Sequence, residues 1–439
     1  MKRKIEKELL KWMVRKNRKV LLIRGARQVG KTHLIREFGK KFSDFVEINF
    51  DLHKKVHPFF DGDLDPVTIV KDLELYIGKK IIPGKTLLFF DEIQACKNAI
   101  SSLRYFYELM PDLHLIAAGS LLEFTLSEIP SFGVGRVESM FLFPLSFEEY
   151  LLELNGPDMV EMIKNASFNK PVNTVIHEKL IDQLKIYQII GGLPEVVQSF
   201  IDNRDLLDCQ RMINVLIQGY YTDFIKYKDR SPVARLKETI ESVAKQTTSK
   251  FKYSNIGSDS SNMYKESLEM LLKAGLVYKA YHTNASGNPL GSGVNPKFFK
   301  AVMFDTGVYQ RLMNLNLSDY VTTDFNTIIN RGQLTEIFAG SEIKKMKDPY
   351  SIDNLYYWHR ESKSSQAEVD YVIEKNGKII PVEVKAASGR KMKSMHLFME
   401  EKKSDFGIRL CADNFSKEGK IYSIPLYAAG FINDYGWLV

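Results

Sequence analysis

The chain has 439 residues, 44% of them hydrophobic and 26% charged, a globular composition in a length that predicts two to four domains. Its net charge of +7 does not by itself imply nucleic acid, and three scattered cysteines favour a reducing compartment over a disulfide framework or zinc site. No apolar run approaches the ~20 residues of a membrane helix, and no signal peptide precedes the first element, so we expect a cytoplasmic protein with no membrane partner.

The N-terminal segment is strongly basic. Its first 19 residues carry nine Lys or Arg side chains against Glu6 and Glu8. We interpret it as a helix with a solvated face, and a nucleic-acid-binding arm is the less favoured alternative.

A glycine-bounded loop follows an apolar run at residues 21–23 and completes the pattern G-x-x-x-x-G-K-[ST]. Glycines allow a tight turn whose N–H groups point at a phosphate, and the helix that follows directs its positive end there. Lys31 would reach the β- and γ-phosphates, and Thr32 would offer a hydroxyl to Mg²⁺. The pattern predicts a nucleoside triphosphate site, the P-loop, formed by Gly25, Ala26, Arg27, Gln28, Val29, Gly30, Lys31 and Thr32.

A second apolar run, residues 87–90, ends in Asp91 and Glu92. Such a run is typical of a buried parallel strand, and open α/β sheets bind ligands at the carboxyl ends of their strands. We therefore expect Asp91 to hold Mg²⁺ through water and Glu92 to polarise the attacking water.

Two further polar residues are candidates at this edge. Ser120 follows the apolar strand at residues 113–118 and would touch the γ-phosphate or the attacking water, or else cap the next helix. Arg136 precedes a fifth strand and would sense phosphate charge, or else form a surface ion pair.

These motifs, together with Gly119-Ser120, Gly135-Arg136 and the run Pro144-Leu-Ser-Phe-Glu-Glu-Tyr150, resemble one family. It comprises AAA-type ATPases of bacteria and archaea with a C-terminal domain of unknown function, on the signalling-type (STAND-like) branch of P-loop ATPases. The resemblance covers nearly the whole chain. It implies ATP binding and hydrolysis with Mg²⁺, and an ASCE-type parallel sheet of five strands in the order 5-1-4-3-2.

The middle of the chain is predicted to be helical up to residue 232, with a Gly191-Gly192-Leu193-Pro194 break that matches a turn of the same family. Residues 233–305 then have the order helix, helix, hairpin, which is that of a winged helix and which the resemblance supports. Such a fold can place a helix in a DNA groove. Because the helix at residues 261–273 has no basic face, a packing module is the alternative.

The last domain contains a helix with Glu336 and a hairpin whose Asn376-Gly377 turn fixes the register. With Lys375 facing Lys378, Asp370 lies opposite Glu383, and Glu368 lies opposite Lys385. Facing carboxylates repel unless a cation joins them, which favours a divalent metal with Lys385 beside it to stabilise a hydroxide. The alternative is an exposed face with a Glu368–Lys385 ion pair, in which a proton or a lysine relieves the remaining repulsion.

The element order αβββαβ resembles the PD-(D/E)XK nuclease-like fold, and Asp370, Glu383-Val384-Lys385 and Glu336 match its motif. Val369 stands where that motif has proline. The resemblance implies metal ligation by Asp370, Glu383 and Glu336 and catalysis by Asp370, Glu383 and Lys385. Domains of this fold also serve as inactive nucleic-acid-binding modules.

The sequence thus predicts an α/β multidomain protein with an ATPase domain (1–152), a helical domain (153–232), a winged-helix-like domain (233–305) and a PD-(D/E)XK-like domain (306–439). The leading hypothesis is an ATP switch that controls a nuclease-like, DNA-interacting domain. The alternative is a STAND-like signalling or scaffold ATPase whose C-terminal domain binds a partner without cutting. A translocase is a weaker third reading. The expected partners are ATP, DNA and further copies of the chain.

Overall fold

The computed structural model describes residues 1–120, 122–126, 135–225, 231–315, 332–351, 353–360, 367–385 and 392–438. Gly133 and Val134, which precede the Gly135-Arg136 pair, and Arg331, the predicted start of the helix with Glu336, lie outside these ranges. The chain divides into two compact units, Met1–Phe143 with Asp348–Ile352, and Pro144–Lys347 with Asp353–Val439. Within the described ranges, no helix has the length and apolar character needed to cross a membrane.

The first unit contains a parallel sheet of five strands in the order β2-β3-β4-β1-β5, which confirms the predicted order. Its strands are β1 (Val20–Arg24), β2 (Asp44–Asn49), β3 (Thr86–Asp91), β4 (His114–Ala118) and β5 (Val137–Phe141). Every neighbouring pair is parallel, so all carboxyl ends lie at one edge. The strands β3 and β4 are buried along their whole length, as their continuous apolar runs predict.

Helices cover this sheet and supply the rest of its core. They are α1 (Glu6–Val14), α2 (Lys31–Gly39), α3 (Pro66–Ile77), α4 (Lys97–Leu109) and α5 (Leu122–Leu126). On one side, Phe90 of β3 makes edge-to-face contacts with Phe50, Phe60 and Phe106. Aromatic side chains bury large apolar areas, and these contacts hold β3, whose end carries the predicted site, in a fixed position.

The second unit begins with helices α6 (Phe147–Asn155), α7 (Pro157–Lys164), α8 (Thr174–Ile190), α9 (Pro194–Asn203) and α10 (Leu206–Ile225). The helix α6 starts at a capping box in which the Ser146 hydroxyl accepts the Glu149 N–H and the Glu149 carboxylate accepts the Ser146 N–H. The predicted ATPase domain ends at residue 152, whereas the N-terminal segment of the first compact unit ends at Phe143. The helix α6 therefore belongs to the second unit.

The chain continues as predicted with two helices and a hairpin: α11 (Val233–Gln246), α12 (Ser261–Lys273), β6 (Val277–Thr283) and β7 (Val294–Met303). The strand β6 also pairs in parallel with β8 (Leu355–His359). The resulting sheet has the order β7-β6-β8-β9, where β9 is Glu368–Val369. This sheet crosses the predicted boundary at residue 305 because a C-terminal strand extends the hairpin.

The remaining elements form the C-terminal part of the unit. They are α13 (Thr306–Leu312), α14 (Gly332–Lys345), β10 (Tyr371–Lys375), β11 (Lys378–Val384), α15 (Lys393–Lys402), β12 (Gly407–Cys411), β13 (Ser416–Glu418) and β14 (Ile421–Pro425). Five strands form a second sheet in the order β10-β11-β12-β14-β13. The Asn376-Gly377 turn gives the predicted register, with Lys375 opposite Lys378, because both turn residues adopt positive φ.

The Gly191-Gly192 break is fixed by one buried carboxylate, that of Asp305. One oxygen of Asp305 accepts the Gly192 N–H at 2.7 Å, and the other accepts the Val308 N–H at 3.0 Å, which caps α13. Gly191 has a φ of 74°, and a Cβ atom there would lie 2.2 Å from the Asp305 Oδ1 atom. The glycine is needed for both reasons.

We predict that Asp305→Ala lowers the free energy of unfolding of this unit by about 2–4 kcal/mol, because a cap is lost and a buried N–H is left unpaired. Asp305→Asn keeps an acceptor for the cap and should cost about half as much. Urea denaturation of the full chain measures both, and an Asp305→Ala midpoint equal to that of the wild type would contradict this account.

Candidate functional site

The P-loop joins β1 to α2 at the carboxyl edge of the parallel sheet. Gly30 is the N-cap of α2 in the left-handed region, with a φ of 94°. Gly25 has a φ of 152°, and a Cβ atom there would lie 2.2 Å from the carbonyl oxygen of Leu142. Both glycines of the motif are thus required by backbone geometry, which directs the start of α2 at the loop.

Lys31 lies over its own loop. Its ammonium donates to the carbonyl oxygens of Gly25 at 3.0 Å and Ala26 at 2.8 Å. Burial lowers the pKa of Lys31 to about 8, against the opposing effect of Glu92 and Asp91. Lys31 is therefore held at the loop, and its ammonium loses its proton at a lower pH than that of an exposed lysine.

Thr32 and Asp91 are brought together as the sequence predicts. The Thr32 hydroxyl lies 3.1 Å from each carboxylate oxygen of Asp91. The Asn49 amide, at the end of the neighbouring strand β2, donates to Asp91 at 3.1 Å. Burial, together with the charge of Glu92, raises the pKa of Asp91 to about 6. These hard oxygen donors fit a magnesium ion.

Glu92 follows directly and adopts a φ of 48°, an uncommon conformation for a residue with a side chain. Its Oε2 atom accepts from the Gln94 amide and from the Ser120 hydroxyl, the latter at 3.3 Å. A Cβ atom on Gly119 would lie 2.0 Å from the Gln94 Oε1 atom, which explains the small residue before Ser120. Glu92 and Ser120 therefore meet at the sheet edge.

Arg136 does not join these residues. It immediately precedes β5, and Val137 of that strand pairs with Val20 at the start of β1. Because the strands are parallel, Arg136 lies at the sheet edge opposite the P-loop, where it bonds to Glu108 at 2.7 Å. The predicted contact with phosphate is wrong, and the surface ion pair is what the structure contains.

A second group of charged residues lies in the other unit, around Lys300 of β7. The Lys300 ammonium is fully buried and bonds to Glu336 of α14 at 2.9 Å and to Glu368 of β9 at 2.6 Å. Burial disfavours the ammonium, but Glu336, Glu368 and Asp370 raise the pKa of Lys300 well above its ordinary value. Burial raises the pKa of Glu336 to about 8 in turn.

The predicted pairing of Glu368 with Lys385 is wrong. The strand bends at Asp370, so that Glu368 belongs to β9 and pairs with His359 of β8. Lys385 instead bonds to Glu383 at 2.6 Å. The bend arises where the Asp370 carboxylate accepts the Val384 N–H at 2.8 Å, which places Asp370 beside the end of β11 as the register predicts.

The expected metal set of Asp370, Glu383 and Glu336 is not assembled. Among the residues that the structure describes, no three His, Cys, Asp or Glu side chains are arranged to hold a metal ion. Glu336 does not join the predicted metal ligands, because its carboxylate bonds to Lys300. Asp370 and Glu383 remain as a pair, and within the described ranges the buried Oε2 atom of Glu383 has no hydrogen-bond partner. Two carboxylates with an unpaired oxygen fit one magnesium ion that keeps several waters.

Sequence reasoning missed Asn49, Gln94 and Lys300. Asn49 pairs with Asp91 in the β2–β3 register, so a polar residue at a strand end was a usable signal. Gln94 gave no signal, because its contact depends on the turn after Glu92. Lys300 stands within the apolar run at residues 298–304, where a lysine requires a buried partner.

Three segments of the chain match known protein-family domains. Residues 17–151 match an AAA domain, residues 181–319 match a domain of unknown function (DUF8612), and residues 331–428 match another domain of unknown function (DUF4143). No curated protein sequence matches the chain.

Several solved structures share weak similarity. An ORC1 protein from Aeropyrum pernix in complex with DNA is 12% identical with a TM-score of 0.30, over 72% of this chain and 93% of that one. An unliganded Pif1 from a Bacteroides species is 15% identical with a TM-score of 0.22, over 42% and 52%. A STAND protein with a tetratricopeptide repeat sensor from Pyrococcus horikoshii is 13% identical with a TM-score of 0.26, over 79% and 48%.

The parallel sheet and the P-loop at its carboxyl edge define a P-loop nucleoside triphosphatase. The match of residues 17–151 to an AAA domain assigns this triphosphatase domain to the AAA type. Residues 17–151 are therefore an AAA-type P-loop ATPase domain, and the chain carries additional domains.

We predict that ATP binding without Mg²⁺ weakens about tenfold between pH 7 and pH 9, because Lys31 is charged below its pKa of about 8 and neutral above it. Titration of a fluorescent ATP analogue in EDTA measures the affinity. Lys31→Ala should bind weakly with a flat profile over this range. An equally steep profile in Lys31→Ala would assign the pH dependence to another group.

Proposed function

We propose that the chain uses Mg²⁺-dependent ATP hydrolysis as a conformational switch that controls its C-terminal, nuclease-like and DNA-interacting domain. The observation that carries the ATPase part is the meeting of Thr32, Asp91 and Glu92 beside the P-loop. These are the groups that phosphoryl transfer to water requires: a metal site, a cradle for phosphates and a carboxylate for the nucleophile.

At the nucleotide site, the backbone between Gly25 and Gly30 would bind the phosphates, and Lys31 would turn from its loop carbonyls to the β- and γ-phosphates. Thr32 and Asp91 would hold Mg²⁺, which would neutralise the charge that develops on the phosphates. Asp91 must be ionised for this, so magnesium-dependent binding should weaken as the pH falls below about 6.

Glu92 is the proposed general base. Its carboxylate already accepts from Ser120 and Gln94, which fixes its direction at the sheet edge. The strained backbone of Glu92 supports this role, because uncommon conformations persist where the surroundings enforce them. Ser120 would keep the carboxylate and the attacking water aligned.

In the second unit, Asp370, Glu383 and Lys385 support a nuclease-like site. Asp370 is tied to Val384, and Glu383 to Lys385, so that the three side chains lie around the end of β11. Asp370 and Glu383 would hold one Mg²⁺, and the chemistry that this ion would supply is Lewis-acid activation of water. Lys385, about one-third exposed, would stabilise the charge that develops there.

We predict that Glu92→Gln slows single-turnover ATP hydrolysis about 10²–10⁴-fold with ATP affinity within about twofold of the wild type, because a general base is lost while the phosphate cradle is kept. Lys31→Ala should lose both binding and hydrolysis. Glu37→Gln, which changes an exposed carboxylate of α2, is the matched control and should leave the rate unaltered. Wild-type hydrolysis by Glu92→Gln would remove Glu92 from the mechanism.

We also predict Mg²⁺-dependent cleavage of DNA that is lost in Glu383→Gln and in Lys385→Met. Single-stranded, duplex and branched DNA, each with and without ATP, should be tested by gel electrophoresis, with Glu401→Gln of α15 as the control. If the Glu383→Gln chain still cleaves DNA, the nuclease assignment is wrong. DNA binding without cleavage by the wild-type chain would favour the alternative of a non-cutting C-terminal domain.

A further inference from the structure

A buried arginine lies at the start of the basic N-terminal segment. Arg3 precedes α1, and only 9% of its surface is exposed. Its guanidinium donates to the carbonyl oxygen of Val29 at 2.8 Å and to the carbonyl oxygen of Phe143 at 2.7 Å. Val29 is the P-loop residue before Gly30 and is itself fully buried. Arg3 therefore contacts the P-loop from a part of the sequence that the motif does not include.

The second contact of Arg3 lies beside the beginning of the same loop. Phe143 follows Leu142, whose N–H donates to the carbonyl oxygen of Arg24 at 2.7 Å. Arg24 is the last residue of β1 and directly precedes the P-loop. One guanidinium thus joins the backbone near the end of the loop to the segment that bonds to its beginning. The planar fork of donors in arginine suits two acceptors that are fixed in this way.

The helix α1 sets the position of Arg3. At the other end of α1, the indole N–H of Trp12 donates to the carbonyl oxygen of Lys19, just before β1, at 2.9 Å. The Trp12 ring also makes an edge-to-face contact with His114 at the start of β4. The nine residues of α1 span about 13 Å and the five of β1 about 16 Å. A helix anchored at the amino edge of the sheet therefore brings Arg3 to the carboxyl edge.

The bond to Val29 determines the direction of one N–H group of the P-loop. The peptide between Val29 and Gly30 is trans, so its C=O and its N–H point to opposite sides. Because Arg3 binds the carbonyl oxygen on one side, the Gly30 N–H is directed to the other. Gly30 is the N-cap of α2. The N–H groups at the start of a helix are the donors that bind phosphate there.

We propose that Arg3 is a positioning residue of the ATP site, which holds the Val29–Gly30 peptide in the orientation that binds phosphate. The positive charge of the guanidinium also polarises this peptide and makes its N–H a stronger donor. Gly30 contacts the nucleotide, and Arg3 acts through it. The proposal rests on the proposed binding of the phosphates by the P-loop, which Lys31→Ala tests separately.

The test measures the affinity of the full chain for a fluorescent ATP analogue with Mg²⁺ and the single-turnover rate of ATP hydrolysis. Arg3→Gln should weaken binding about tenfold, the value of one hydrogen bond to phosphate. Its rate at saturating ATP should stay within about threefold of the wild type, because a contact shared by the ground and transition states changes KM alone. Arg3→Lys, which lacks the planar fork, should weaken binding about threefold. Wild-type affinity in either variant overturns the proposal.

Two control variants separate positioning from stability and from charge. Trp12→Phe removes the bond to Lys19 at the other end of α1, so it should lower the thermal midpoint and keep the affinity. Lys7→Gln removes an exposed charge from α1 and should change neither. If Trp12→Phe weakens binding as much as Arg3→Gln, Arg3 acts only by anchoring α1 and the proposal is wrong. If Lys31→Ala binds ATP as the wild type does, the P-loop assignment is wrong and the proposal falls with it.

The orientation of the peptide can be measured directly by NMR. Labelling valine with carbonyl ¹³C and glycine with ¹⁵N selects two Val–Gly pairs of the chain, Val29-Gly30 and Val134-Gly135, and Val134→Ile removes the second signal. In Arg3→Gln without nucleotide, the carbonyl resonance of Val29 should move upfield because it loses its donor. The Gly30 amide should then shift less on ADP binding than in the wild type. An unchanged Val29 resonance in Arg3→Gln would contradict the proposal.

Discussion

The bond between the Thr32 hydroxyl and the Asp91 carboxylate ties the first turn of α2 to the end of β3. Both groups belong to the nucleotide site, and the parallel sheet is what brings them together. In a parallel sheet every strand ends at the same edge, so residues distant in the chain meet there. Asn49, Glu92 and Ser120 reach the site for this same reason.

The second unit satisfies a different constraint, the burial of charge. Its carboxylates come from separate elements and belong to Glu336, Glu368, Asp370 and Glu383. The ammonium groups of Lys300 and Lys385 bond directly to three of these four carboxylates. Breaking such a pair leaves an uncompensated buried charge, which costs far more than a surface ion pair is worth. The electrostatics of this cluster therefore require β7 to stay in place beside α14 and β9.

Local patterns predicted much of this. Apolar runs and the P-loop motif located the strands of the parallel sheet. The Asn376-Gly377 turn gave the register of the β10–β11 hairpin. Both signals act within a few residues of the chain. The bend at Asp370 was not predictable, since it accompanies a bond to Val384, a residue of the other strand of the hairpin.

Two of the errors at the sites have one cause. Arg136 was assigned to the nucleotide by its place beside a strand, but a residue before a parallel strand lies at the far edge. Glu336 was assigned to a metal by its place in a family motif. In the structure its carboxylate is instead bonded to Lys300, a residue that the motif does not include. Partners that come from distant elements cannot be inferred from spacing within one segment.

The central claim is that ATP controls the C-terminal domain. Hydrogen–deuterium exchange of Glu92→Gln, compared with Mg²⁺-ATP, with Mg²⁺-ADP and without nucleotide, tests it most directly. The account predicts that exchange in β7, β10 and β11 differs between the ATP and ADP states. Identical exchange in those strands in all three states, with protection of the P-loop by nucleotide, would contradict it.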